Sequence, residues 1–172
     1  MLNRNNVTVK NIVLIGTPGC GKSYVGKLLA METGREFVDM DNELEMEEQC
    51  SVTDIFENYG EEYFRDIEER KAKALSEKSD LVISTGGGVV LRRENMTCLR
   101  KNGIVFFIER DLTAIISSGG MEKRPLLKNG GEAALKRLYN DRIELYRGYS
   151  DFTVNNDGDI KTTIEEIKRR LS

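Results

Sequence analysis

The sequence predicts an α/β protein, a parallel β-sheet with helices over both faces. Three observations carry that expectation. Five short apolar runs are separated by segments long enough to be helices. The runs are apolar at successive rather than alternate positions, as strands buried on both faces require. The first run leads into a glycine-rich octapeptide and then into a helical apolar pattern, giving the order strand, loop, helix.

The first strand is IVLI at 12–15, and the helix after its loop spans 22–33 with Val25, Leu28 and Leu29 on one face. EFVD at 36–39 is the second strand, followed by a charged pair of shorter helices across 42–76. LVIS at 81–84 and IVFFIE at 104–109 are the third and fourth strands, with a helix over 93–101 between them. Helices over 111–117 and 132–147, a weaker strand FTV at 152–154 and a helix over 160–171 complete the order. No repeat, low-complexity tract or Pro/Gly/Ser-rich linker divides the 172 residues, so a single domain over 1–172 is expected.

Composition narrows the chemistry. Lys and Arg number 26 against 29 Asp and Glu, a formal charge of −3, which does not advertise the basic surface that binding to nucleic acid demands. With no histidine in the chain, Ser-His-Asp triads, Cys-His pairs and His-liganded zinc are excluded, and acid-base work falls to carboxylates, lysine or tyrosine. Cys20, Cys50 and Cys98 form no C-x-x-C pair and fit reduced thiols. No apolar run approaches the roughly 18–20 residues of a spanning helix, and a cytoplasmic protein without membrane attachment is expected.

Gly16-Thr17-Pro18-Gly19-Cys20-Gly21-Lys22-Ser23 matches G-x-x-x-x-G-K-[ST] between a predicted strand and a predicted helix. Such a loop turns successive backbone N–H groups onto phosphate oxygens, and the helix behind it adds its positive end. Lys22 would reach the β- and γ-phosphates of a nucleoside triphosphate, and the Ser23 hydroxyl would ligate Mg²⁺.

Four further features bear on what accepts the phosphoryl group. Asp39 and Asp41 stand at the carboxyl end of the second strand, where ligands of open α/β sheets gather. Alternate residues of an extended segment share a face, so one carboxylate can hold metal-bound water while Asp41 acts as base; the competing reading is that Asp41 N-caps the next helix. Arg65 lies three or four residues from Glu61, Glu68 and Glu69, which taken alone is a solvated salt-bridge ladder. Gly86-Gly87-Gly88 after the third strand permits close approach to backbone N–H groups, or is simply a flexible turn. Arg142 shares a helical face with Leu135, Leu138, Leu145 and Tyr146, and a guanidinium on an apolar stripe needs an anion, from the protein or from a substrate carboxylate.

Gly119-Gly120 and Gly130-Gly131 bracket MEKRPLLKN, as hinges bracket a flap. Arg124, stiffened by Pro125, could swing onto the transferring phosphoryl group.

In this order the motifs resemble those of the shikimate kinases, in the nucleoside-monophosphate-kinase-like group of P-loop proteins. The resemblance covers the loop at 16–23, D-x-D at Asp39 and Asp41, F-R-x-x-E from Phe64 to Glu68, G-G-G at 86–88, R-P-L-L at 124–127, and Arg142 four residues before Tyr146. It implies a three-layer α/β/α P-loop fold with a five-stranded parallel sheet in order 2-3-1-4-5, a substrate-binding segment at about 40–70 and a mobile lid at about 117–131. The implied reaction is ATP-dependent phosphorylation of the 3-hydroxyl of shikimate, on the route to chorismate, by a monomer. By the same resemblance Gly19, Cys20, Gly21, Lys22, Ser23, Tyr24 and Arg124 contact ATP, while Ser23 binds Mg²⁺ directly and Asp39 and Ser84 bind it through water. Arg65 and Arg142 would clamp the shikimate carboxylate, Asp41 would bind ring hydroxyls and Gly87 would add a backbone contact. Lys22, Asp41 and Arg124 are the implied catalytic residues.

Tyr24 follows the loop serine where threonine is commoner in the family, and Val89 follows the glycine triplet where a small residue often sits. Ser117 stands where members often carry an arginine that stacks on adenine, and the stretch 155–158 has no proline. The first two departures should not abolish activity, and the last two imply weaker discrimination of the base or a weaker KM for ATP. The alternatives are another small-molecule kinase of the same fold, such as one acting on gluconate, and a non-catalytic sensor of shikimate or nucleotide.

Overall fold

The computed structural model describes residues 10–118 and 131–171. Its centre is a five-stranded sheet in the order β2-β3-β1-β4-β5, with every neighbouring pair parallel. The strands are β1 (Asn11–Ile15), β2 (Glu36–Asp39), β3 (Leu81–Ser84), β4 (Gly103–Glu109) and β5 (Phe152–Asn155). The helices are α1 (Lys22–Thr33), α2 (Met40–Glu48), α3 (Val52–Ser76), α4 (Arg93–Lys101), α5 (Leu112–Ser117), α6 (Gly131–Tyr149) and α7 (Ile160–Leu171), with a one-turn 3₁₀ helix at Val89–Leu91.

Successive side chains of a strand point to opposite faces, and the two cores follow that alternation. Ile12, Leu14, Phe106 and Ile108 pack beneath α1, α5 and α7, together with Val25, Leu29, Ile115, Ile164 and Ile167. Val13, Ile15, Val105 and Phe107 face the other way, toward Ala72 and Leu75 of α3, Met96 and Leu99 of α4, and Tyr146 of α6. A smaller third cluster of Leu44, Ile55, Phe64 and Ile67 holds α2 against the first half of α3.

Local chemistry sets the boundaries. β1 begins at Asn11, one residue before the apolar run, because the buried Asn11 amide is fully used: Oδ1 accepts from the Leu81 N–H at 3.0 Å and Nδ2 donates to the Lys78 carbonyl at 2.9 Å. α1 ends on Gly34, whose left-handed φ of 68° lets its N–H reach the Ala30 carbonyl. α3 opens with a capping box between Ser51 and Asp54. It is one helical segment only in outline, since Gly60 at φ 84° and ψ 169° breaks its geometry inside.

Candidate active site

The phosphate loop leaves β1 and returns as α1 through Gly21, the N-cap, at φ 100°. Only glycine adopts that conformation without strain, and no side chain caps the helix, so the first-turn N–H groups remain available to an anion. Lys22 is 7% exposed, and its ammonium donates to the Gly16 carbonyl at 2.8 Å and the Thr17 carbonyl at 3.2 Å. Cys20 is fully buried and Tyr24 is 61% exposed. Any contribution of Cys20 to a bound nucleotide therefore comes from its backbone.

Beside the loop three side-chain oxygens converge. Ser23 Oγ donates to Asp39 Oδ2 at 2.5 Å and lies 3.3 Å from Ser84 Oγ. The β2-β3 register, which sets Asp39 opposite Ser84, produces this corner. One carboxylate with two hydroxyls, Ser23 exposed beside the loop and Ser84 buried behind it, suits Mg²⁺, which prefers oxygen ligands and keeps several waters. Among the described residues no cluster of three acidic, His or Cys side chains offers an alternative metal cage.

Asp39 also answers the question of the helix cap. Its Oδ1 accepts from the N–H groups of Asp41 at 3.2 Å and Asn42 at 3.3 Å, so α2 starts at Met40 and Asp39, not Asp41, is the N-cap. The expectation that both aspartates lie on one extended face is corrected accordingly. Asp41 sits in the first helical turn, where its carboxyl is free for other work.

That carboxyl meets the glycine triplet. A Cβ on Gly86 would fall 2.8 Å from Asp41 Oδ1 and 2.9 Å from Glu68 Oε1, a Cβ on Gly88 would strike the Arg65 guanidinium, and a Cβ on Gly87 would lie 2.7 Å from Pro18. Each glycine thus admits a close approach from another element, two carboxyls in the case of Gly86, so the triplet is a packed junction and not a loose turn. The Gly87 carbonyl accepts from Arg142 Nη1 at 3.1 Å and from the Tyr146 hydroxyl at 2.6 Å.

Arg65 is not a rung of a solvated ladder. It is 6% exposed, and Glu68 beside it is 1% exposed. Its guanidinium pairs with Glu68 at 2.7 Å and Glu61 at 3.0 Å, while Glu69 turns away to Arg92. Glu68 Oε1 is buried without a hydrogen-bond partner among the described residues. Arg142 is 7% exposed, and no carboxylate among the described residues pairs with it. The sequence requires an anion there, and the described residues supply a carbonyl in its place.

Electrostatics mark out Asp41. Its surface still meets solvent in part, but the protein packed around it, ahead of the negative charges of Glu68 and Asp39, pushes its pKa up to about 7. Burial likewise raises the Glu68 carboxyl above its ordinary range, against the pull of Arg65. Burial pushes the Tyr146 phenol well above its ordinary value, which keeps it a donor to Gly87.

Sequence reasoning missed three parts of this arrangement: the burial of Glu68, the hydroxyl bond of Tyr146 and the amide of Asn156 on the phosphate loop. Tyr146 carried a signal in its place on the Arg142 stripe and Glu68 in the F-R-x-x-E motif, whereas Asn156 carried none. The Ser117 hydroxyl bonds back to the Thr113 carbonyl of its own helix at 2.8 Å. Arg124 and most of the expected lid fall outside the described residues.

Comparison with known proteins places this geometry. The family model described as shikimate kinase matches residues 18–172. A shikimate kinase of Clostridium beijerinckii is 42% identical over 157 residues, 91% of this chain and 92% of that protein. A solved shikimate kinase from Acinetobacter baumannii, in complex with shikimate, aligns with a TM-score of 0.90 at 32% identity over 96% of this chain and 94% of that one. A gluconokinase from Sinorhizobium meliloti shares 20% identity at a TM-score of 0.58 over 94% of this chain and 91% of that one, a likeness of fold alone. Matched along nearly its whole length by that family model and by a curated relative, the chain belongs to the shikimate kinase family.

Proposed function

We propose that the chain transfers the γ-phosphoryl group of ATP to the 3-hydroxyl of shikimate, giving shikimate 3-phosphate and ADP, with Asp41 as the base. Membership of the family makes it an ATP-dependent kinase of aromatic amino acid biosynthesis. The observation that carries the residue roles is the contact of Gly87 with Pro18, which sets the groups around the glycine triplet directly against the phosphate loop.

Shikimate is a cyclic carboxylate bearing three hydroxyls, and each part finds a partner of suitable chemistry. Arg142, a guanidinium without a carboxylate among the described residues, takes the substrate carboxylate together with Arg65. The Gly87 carbonyl is occupied by Arg142 and Tyr146, which leaves the Gly87 N–H as the backbone contact. Asp41 accepts hydrogen bonds from the ring hydroxyls and removes the proton from the attacking one, a role suited to a carboxyl whose pKa is about 7. Gluconate presents a longer open chain to the same groups, and AMP presents a phosphate; the combination of Asp39 and Asp41 with the glycine triplet argues against both.

On the nucleotide side, the backbone from Gly19 to Tyr24 cradles phosphate oxygens, and Lys22 neutralises charge that develops during transfer. Mg²⁺ would offset the charge of the phosphates, bound directly by Ser23 and through water by Asp39 and Ser84. Arg124, within the expected lid at about 117–131, is assigned to the transferring group. The reading takes residues 1–172 as one cytoplasmic, monomeric domain whose substrate segment is about 40–70, acting on small molecules and not on nucleic acid. No helix of the described residues is long and apolar enough to cross a membrane.

The test is coupled ADP release with Mg-ATP and shikimate, beside reactions with no acceptor, gluconate, AMP and quinate. Release that requires shikimate and is lost in Arg65→Ala supports both the acceptor and its clamp. Release with another acceptor overturns the substrate, and binding without release points to a sensor.

A further inference from the structure

Asn156 lies just past β5, 136 residues from the phosphate loop in sequence, yet its side chain closes on that loop. Its Nδ2 donates to the Cys20 carbonyl at 2.8 Å. A Cβ on Gly21 would sit 2.6 Å from the same nitrogen, so the amide occupies space that any other residue at 21 would fill. The amide is itself held from two sides: Thr163 donates to its Oδ1 at 3.1 Å, and its backbone N–H donates to the Glu109 carbonyl at 2.8 Å. Thr163 is 2% exposed, so the orienting hydroxyl is fixed within the α7 packing.

The consequence follows from peptide geometry. The Cys20–Gly21 peptide is planar and trans, so its carbonyl and its N–H point in opposite directions. Holding the Cys20 carbonyl outward therefore turns the Gly21 N–H inward, toward the concave side of the loop, beside the uncapped start of α1.

We propose that Asn156 is a positioning residue for the nucleotide, presenting the Gly21 N–H to a phosphate oxygen by anchoring the Cys20 carbonyl. The inference rests on the phosphoryl-transfer reading above and extends it to a residue on the opposite end of the chain. It assigns Asn156 no contact with shikimate, so the two substrates should respond differently.

The experiment compares wild type with Asn156→Asp and Thr163→Val, measuring ADP affinity by titration without turnover, KM for each substrate, kcat and Tm. Asn156→Asp keeps the size of the side chain and its acceptor for Thr163 but loses the donor to Cys20. The expected result is a loss of ADP affinity and a rise in the KM for ATP of about tenfold, with the KM for shikimate within about twofold of wild type. Thr163→Val, which frees the amide without touching the loop, should weaken ADP in the same direction by a smaller factor. Unchanged ADP affinity in a folded Asn156→Asp overturns the inference. So does an equal rise of both KM values with a fall in Tm, which would mean a purely structural contact. A wild-type chain that binds no ADP would overturn the phosphoryl-transfer reading itself.

Discussion

As the proposed base, Asp41 would link the chemistry of the site to the pH at which it works. Its pKa is raised from 3.8 to about 7, first by burial and then by Glu68 and Asp39. Only the ionised form can accept a proton, so kcat/KM should rise through an acid limb near pH 7. Asp41→Asn should lower kcat by about 10²–10⁴-fold while ADP affinity stays within twofold; an unchanged kcat would remove Asp41 from the base role. The same shift has the opposite sign for stability. Because the folded state holds the proton more tightly than the unfolded one, stability falls as pH rises from about 4 to about 7, and above that the charge is buried at a cost. Asp41→Asn carries no such charge, so at pH 8 it should melt a few degrees above wild type, with the gap closing toward pH 4. Equal melting temperatures across that range would contradict the environment assigned to Asp41. The aspartate pair was legible in the sequence, but the cause of the shift was not. Glu68 reads as one of several helical acids near Arg65, and its burial depends on Gly86, which lies on a different element.

At the scale of elements, the glycine triplet shows why a motif can be legible while its reason is hidden. Three consecutive glycines after a strand suggest an open turn, whereas the structure uses each to admit a group from elsewhere: Asp41 and Glu68, Pro18, and Arg65. Gly88 has an ordinary φ of −99°, so alanine there meets a steric problem and not a conformational one. The atoms in its way are the end of the flexible Arg65 side chain, which can yield. Gly88→Ala should therefore displace the guanidinium and raise the KM for shikimate about tenfold, with ADP affinity little changed and Tm lowered because buried Glu68 loses its partner. A KM within twofold of wild type would show that Arg65 does not need that space. The strands were readable because apolar runs buried on both faces leave a strong local signal. The start of α2 was not, since Asp39 and Asp41 are equally good caps by composition and only the bond to Ser23 explains how Asp39 came to lie in both places.

For the whole molecule, the cores divide the protein into parts of unequal strength. Two large clusters grip both faces of the sheet and fix β1, β4 and the phosphate loop between them. The segment carrying Asp41 and Arg65 rests largely on the small cluster of Leu44, Ile55, Phe64 and Ile67. Partly exposed ion pairs, Lys71 with Glu43 and Glu47 and Arg92 with Glu62, Asp66 and Glu69, add little to it in water. Local opening costs least where few apolar contacts must break, so this segment should open at a lower free energy than the sheet. Amides of α2 and of α3 up to Ile67 are expected to exchange hydrogen faster than those of β1 and β4. Shikimate, which under the proposed function joins Asp41 and Arg65 of this segment to Arg142 of α6, should slow that exchange, and ADP alone should slow it less. The measurement is hydrogen exchange on the free chain, with ADP, and with ADP and shikimate. Exchange in α2 as slow as in β1 without ligand would show that the small core suffices, and the two guanidinium groups would then meet the substrate as a preformed clamp.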